Sequence, residues 1–202
     1  LGGNIDIHAE AGDRSLDNTV TDYAQGAPDG VLKILEDIQS MIGIPVSVLY
    51  KKSAADIDIS NSTIAGRTGD VSVDANSESD GTGTATFFRA PNNSPGGFAF
   101  VYVQTDASAT VTVDTTSTIN AGDDITVTTE ATAAASGTGR VSQNFGRQGS
   151  PTNQQNLQTA IVVGNSNITS TIDFEAGSQL QAANDVSVVA TGSNSNGMSA
   201  ET

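Results

Sequence analysis

The chain has 202 residues, 36% apolar and 4% aromatic, with no tryptophan and no cysteine. Eight Lys and Arg against 23 Asp and Glu leave a formal charge of −15, which repels phosphate backbones and argues against nucleic-acid binding. Missing cysteines exclude disulfides and thiolate metal sites, and no run reaches the ~18 apolar residues needed to cross a bilayer.

In chain order, the first predicted element is a strand. Gly3-Asn4-Ile5-Asp6-Ile7-His8-Ala9 alternates apolar and polar residues and matches Gly69-Asp70-Val71-Ser72-Val73-Asp74-Ala75, the period-two signature of a half-buried strand. Residues 1–27 read as a truncated first repeat with a loop. The stretch PDGVLKILEDIQSMIG at 28–43 breaks the pattern. It places Val31, Leu32, Leu35, Ile38, Met41 and Ile42 near one helical face between Pro28-Asp29 and Gly43, so a helical insert is predicted from about residue 30 to 42. Its expected role is to cover a stretch of sheet or core.

Three repeats follow, over 44–97, 98–159 and, incomplete, 160–202. Each opens on a strongly apolar strand: PVSVLY at 45–50, FAFVYV at 98–103 and AIVV at 160–163. A short polar link leads to an alternating strand, a turn and a second alternating strand. ATVTVDTTSTINAGDDITV at 109–127 overlies STIDFEAGSQLQAANDVSV at 170–188 without a gap, Val111 on Ile172 and Ile125 on Val186. AADIDISNSTIAGRTGDVSVDA at 54–75 is a third copy, with Ile57, Ile64 and Val71 in the same places. Successive second strands begin 66, 54 and 61 residues apart (Ile5 to Val71, Val71 to Ile125, Ile125 to Val186). The polar segments 76–97 and 140–158, rich in Asn, Ser, Gly and Pro, are expected to be loops or hairpin tips. Small-residue stretch 128–137 is expected to extend the preceding strand outward.

The order Ser-Thr-Ile, a small-residue turn, then Asn-Asp-Val-Ser-Val-Val-Ala-Thr at 184–191 resembles the degenerate repeats of giant bacterial surface adhesins, the haemagglutinin-like β-solenoids. The resemblance spans nearly the whole chain outside the insert. It implies an all-β, right-handed parallel β-helix of imperfect 54–66-residue repeats, one continuous solenoid domain, exported to the bacterial cell surface. It carries over no catalytic motif. Physics alone leads to stacking: one unit cannot bury both faces of its strands, so neighbouring units must lie ~4.8 Å apart with Val, Ile and Ala in a continuous column. Whether one repeat makes one wide coil or two narrow ones stays open, and the start at Leu1 without a leader reads as a mature protein or an excised fragment.

Candidate chemistry is sparse. Asp6, Asp70, Asp123, Asp124 and Asp185 recur near the same turn. Stacked carboxylates could bind calcium, a cation taking ~6–8 oxygens; the same residues also suit sharp corners. No catalytic residue is nominated, and His8 reads as an ordinary outward strand residue. The aromatics Phe87, Phe88 and Phe98, with Arg89, flank the PNNSPGG loop, and Phe145 and Arg147 lie in the later polar segment; these are the candidate contacts for a partner. The sequence therefore predicts a non-enzymatic structural or adhesive segment of a surface fibre, without a required cofactor, partnered by copies or neighbouring repeats of a larger chain. The alternatives are a carbohydrate- or protein-binding module acting through loops 87–98 and 140–158, and a polysaccharide-degrading β-helix enzyme.

Overall fold

The computed structural model describes residues 3–12, 16–20, 45–89, 96–143 and 157–202. Among these every regular element is a β-strand. They are β1 (Ile5–Ala11), β2 (Leu16–Val20), β3 (Val46–Ile59), β4 (Thr63–Gly66), β5 (Val71–Arg89), β6 (Gly96–Val113), β7 (Thr118–Ala121), β8 (Ile125–Gln143), β9 (Leu157–Phe174), β10 (Gln179–Ala182) and β11 (Val186–Glu201). No helix occurs among the described residues, and the helix expected at 30–42 lies outside them.

The strands form three sheets, and every pairing is parallel. The first runs β1–β5–β8–β11, with β2 also on β5; the second runs β3–β6–β9; the third runs β4–β7–β10. Along the chain the second, third and first sheets are visited in turn, three times over. Register follows the repeat offsets: Val71 pairs with Ile125 and Ile5 in the first sheet, Ile125 with Val186, and Val111 with Ile57 and Ile172 in the second. Each repeat thus contributes one strand to each of the three sheets, and one such set of three strands is called a circuit below. This all-β, parallel arrangement is compatible with a β-solenoid.

Alternation puts one face of each sheet inside. Val71, Val73, Val111, Val113, Ile119 and Ile125 are fully buried and join one cluster drawn from all three sheets. Leu49, Val101, Val103 and Val141 build a second cluster toward the opposite end of the long strands. The apolar runs and alternating runs, predicted as separate strands joined by a polar link, are single strands: Lys51 and Lys52 continue β3 in register with Thr105 and Asp106.

The loop expectation for 76–97 and 140–158 is corrected over 76–89, 96–97, 140–143 and 157–158, which are strand. Close approach of the first and second sheets explains their composition. A Cβ on Gly81 would lie 2.7 Å from Leu49 Cδ2, one on Gly83 2.7 Å from Val103 Cγ2, and one on Gly137 2.6 Å from Val162 Cγ1. Glycine faces bulk across the core, so stretches that resemble turns are the interior of long strands. Serines there find partners across the gap: Ser53 Oγ and Ser77 Oγ are 2.6 Å apart, and Thr129 Oγ1 and Ser170 Oγ 2.8 Å.

Candidate functional site

The acidic corner between the third and first sheets brings three of the five recurring aspartates together. One carboxylate oxygen from each of Asp70, Asp123 and Asp124 lies within 4.8 Å of the others. Asp185 joins the corner through its backbone. The Asp70 N–H donates to Asn4 Oδ1 at 3.2 Å, the Asp124 N–H to Asp70 Oδ1 at 3.2 Å, and the Asp185 N–H to Asp124 Oδ1 at 3.0 Å. Asn4 Nδ2 also donates to Asp70 Oδ2 at 3.3 Å. Each circuit's Asx side chain therefore caps the backbone of the next circuit, where the direction change would otherwise leave a donor unpaired. A hard cation here would compete with those N–H groups for the same oxygens.

A second corner, between the second and third sheets, was not singled out from sequence. Asp114 Oδ1 accepts from the Thr116 N–H at 3.0 Å and lies 2.7 Å from Ser117 Oγ, while Oδ2 accepts from the Asn61 N–H at 3.0 Å. Asn61 adopts φ 46°, the left-handed conformation that Asn tolerates better than most residues. The Ser117 hydroxyl, together with the Asn61 and Thr116 donors, holds the Asp114 carboxyl below its usual value against the opposing effect of burial.

On the outer face of the second sheet, Tyr50 Oη donates to Asp106 Oδ2 at 2.9 Å and Asn167 Nδ2 to Asp106 Oδ1 at 2.8 Å. Gln104 Nε2 sits 3.3 Å from both Asp106 oxygens. Burial pushes the Asp106 carboxyl up, but the bonds from Asn167, Tyr50 and Gln104, aided by the Lys52 charge, bring it below its usual value. The bond to Asp106 raises the Tyr50 phenol. The signal for this cluster was present: Lys52, Asp106 and Asn167 occupy one column of the repeat.

The predicted aromatic contacts fare unequally. Phe87 packs against the second core cluster, an inward role. Phe88 and Arg89 close β5, and Phe98 stands at the start of β6. Backbone register puts these at the junction where the chain passes from the first sheet to the second. Phe145 and Arg147 lie outside the described residues. A different apolar group faces outward: Phe100 and Tyr102 pack on Val46 and Val48, and the neighbouring Ile161 and Val163 are 40% and 41% exposed. His8, on the outside of β1, has Nδ1 3.1 Å from Asp74 Oδ2 and Nε2 3.5 Å from Glu10 Oε2. Asp74 Oδ1 also accepts from Thr128 Oγ1, so these groups form an outward strand pairing.

Fold and corners together define an all-β protein of three parallel sheets whose polar side chains chiefly connect circuit to circuit. No family model matches the chain, and neither a curated protein nor a solved structure does. No helix among the described residues is long and apolar enough to cross a membrane.

Proposed function

We propose that the chain is a right-handed parallel β-solenoid serving as a non-enzymatic structural and adhesive segment of a secreted bacterial surface or fibre protein. The observation that carries this reading is the register: three successive circuits pair strand on strand over 14 to 19 residues in the first two sheets. Such a stack resists bending, since every circuit is tied to the next by a full-width ladder and a continuous core. The carboxylates at its corners serve that stacking, and the −15 charge keeps the exterior solvated. Electron microscopy of the native material from its source tests the proposal. Uniform rods or fibres containing this chain are the expected result; compact isolated particles would overturn it.

A second reading is favoured by the outward apolar group at Phe100, Tyr102, Ile161 and Val163. It makes the chain a carbohydrate- or protein-binding module, with the junctions at 87–98 and 140–158 framing the contact. Screening on glycan and protein arrays, with Tyr102→Ala as the control, distinguishes it: binding lost in the variant supports the module. Polysaccharide cleavage on the same glycans would overturn the non-enzymatic reading altogether.

A further inference from the structure

We infer that Tyr50 and Tyr102 form an oxidative cross-linking site, at which a one-electron oxidant joins the two phenol rings by a carbon–carbon bond between adjacent circuits. The inference rests on the pairing of β3 with β6 and holds whether or not the chain is a fibre segment.

The chain has three tyrosines, and two of them are neighbours. In the register of the second sheet Val48 pairs with Tyr102 and Tyr50 with Gln104, so Tyr50 and Tyr102 stand diagonally on adjacent parallel strands. Leu49, Val101 and Val103 point into the second core cluster; alternation therefore puts both tyrosines on the outer face, where each is half-buried. Diagonal neighbours have Cα atoms about 7–8 Å apart, within reach of aromatic side chains. Tyr102 packs on Val46 and Val48 of β3, leaning across the gap between strands. Its hydroxyl donates to Gln104 Oε1 at 2.7 Å, which brings its phenol end into the row that Tyr50 occupies. Tyr50 reaches the other way, its hydroxyl donating to Asp106 Oδ2 of β6 at 2.9 Å. Gln104 Nε2 lies 3.3 Å from that same Asp106 oxygen, so both phenols end on one knot of side chains.

The surroundings suit the chemistry. Each phenol gives up one electron and its hydroxyl proton, and the rings join through carbons ortho to the two hydroxyls; the hydrogens displaced from those carbons return to the oxygens as the rings regain aromaticity. The net loss is two electrons and two protons, which convert one hydrogen peroxide, the oxidant, into two waters. An oxidised phenol is a strong acid, and Tyr50 already has an acceptor in place. Against the opposing effect of burial, the bonds from Asn167, Tyr50 and Gln104 hold the Asp106 carboxyl below its usual value, so a carboxylate receives the Tyr50 proton along an existing hydrogen bond. The bond to Asp106, burial, the Asp106 charge and the nearby Tyr102 phenol all raise Tyr50, which keeps the proton on the ring until the electron leaves. Tyr102, half-exposed, releases its proton to water. In a chain without cysteine, the new bond ties one circuit to the next where no disulfide can.

Oxidation of the intact chain at low concentration tests this, with hydrogen peroxide and a haem peroxidase and, separately, with photogenerated ruthenium(III) tris-bipyridine and persulfate, a small oxidant for which enzyme access does not matter. The expected product has the mass of the monomer less two hydrogens and the blue emission of dityrosine. On digestion it should yield one linked pair of peptides, bearing Tyr50 and Tyr102. Tyr50→Phe and Tyr102→Phe should each abolish that species while leaving the far-UV spectrum unchanged. The third tyrosine, Tyr23, lies outside the described residues, and Tyr23→Phe should retain the product in full. Dityrosine confined to dimers, a link that involves Tyr23, or a product that survives in either of the other two variants overturns the proposal. So does a chain left uncoupled by the small oxidant while free tyrosine in the same mixture couples.

Discussion

At the scale of single residues, Asp70 ties three layers together, because it receives one N–H from the layer after it and a side-chain amide from the layer before. Asp70→Ala removes both acceptors at a partly buried corner and should cost about 1–2 kcal/mol in urea unfolding, whereas Asp70→Asn, which keeps one carbonyl oxygen toward Asp124 N–H, should lose under about 1 kcal/mol. Since those oxygens are already engaged by donors, excess chelator should leave the melting temperature unchanged; a fall of several degrees would make a resident calcium part of the fold. Asp106 gives a pH signature. Its carboxyl sits below the usual value in the folded chain, so its contribution is complete above the unfolded carboxylate's ~3.9 and is lost as pH falls through the lower folded value. Melting temperature should drop below about pH 4, and Asp106→Asn should shallow that acid limb. An unaltered limb would mean that other carboxylates, Asp114 among them, carry the dependence.

Within a strand the decisive feature is the opposition of glycine and valine across the core. In an unconstrained strand interior, replacing glycine by alanine stabilises by roughly 0.5–1 kcal/mol. Gly83→Ala should have the opposite sign, since its Cβ would stand 2.7 Å from Val103 Cγ2 and 3.0 Å from Val101 Cγ1, both on β-branched side chains with little freedom to turn. The expected cost is about 1–3 kcal/mol. Adding Val103→Ala should recover part of it, so that the double variant is more stable than the sum of the singles; additivity would show that the sheets are not in steric register. This opposition also explains what sequence reading could and could not reach. Ile57, Val111 and Ile172 stand at constant offsets because each must lie on the residue before it, and the eye finds such columns at once. DANSESDGTGTAT at 74–86 resembles a loop because glycine and serine are scored by their turn chemistry, whereas here the narrow gap between sheets selects them for size. The aspartates at the corner were visible as a recurring set; that their partners are backbone donors of the following circuit depends on corner geometry that no spacing records.

At the scale of the whole molecule, the described strands stack layer on layer, each packed chiefly on the layers beside it, so the worth of a residue should depend on its layer as much as on its type. Positions 73, 127 and 188 test this, since they are all valine and occupy one column. Val127 has a circuit on either side and is fully buried, so Val127→Ala should leave a cavity costing about 2–3 kcal/mol. Val188 is 45% exposed, and in a dilute, monomeric sample Val188→Ala should cost under about 1 kcal/mol. Paired urea titrations of both variants measure this difference directly. A Val188→Ala penalty as large as that of Val127→Ala already in the monomer would mean that the final circuit is sealed within a single chain, and the layered account of the stack would fail with it.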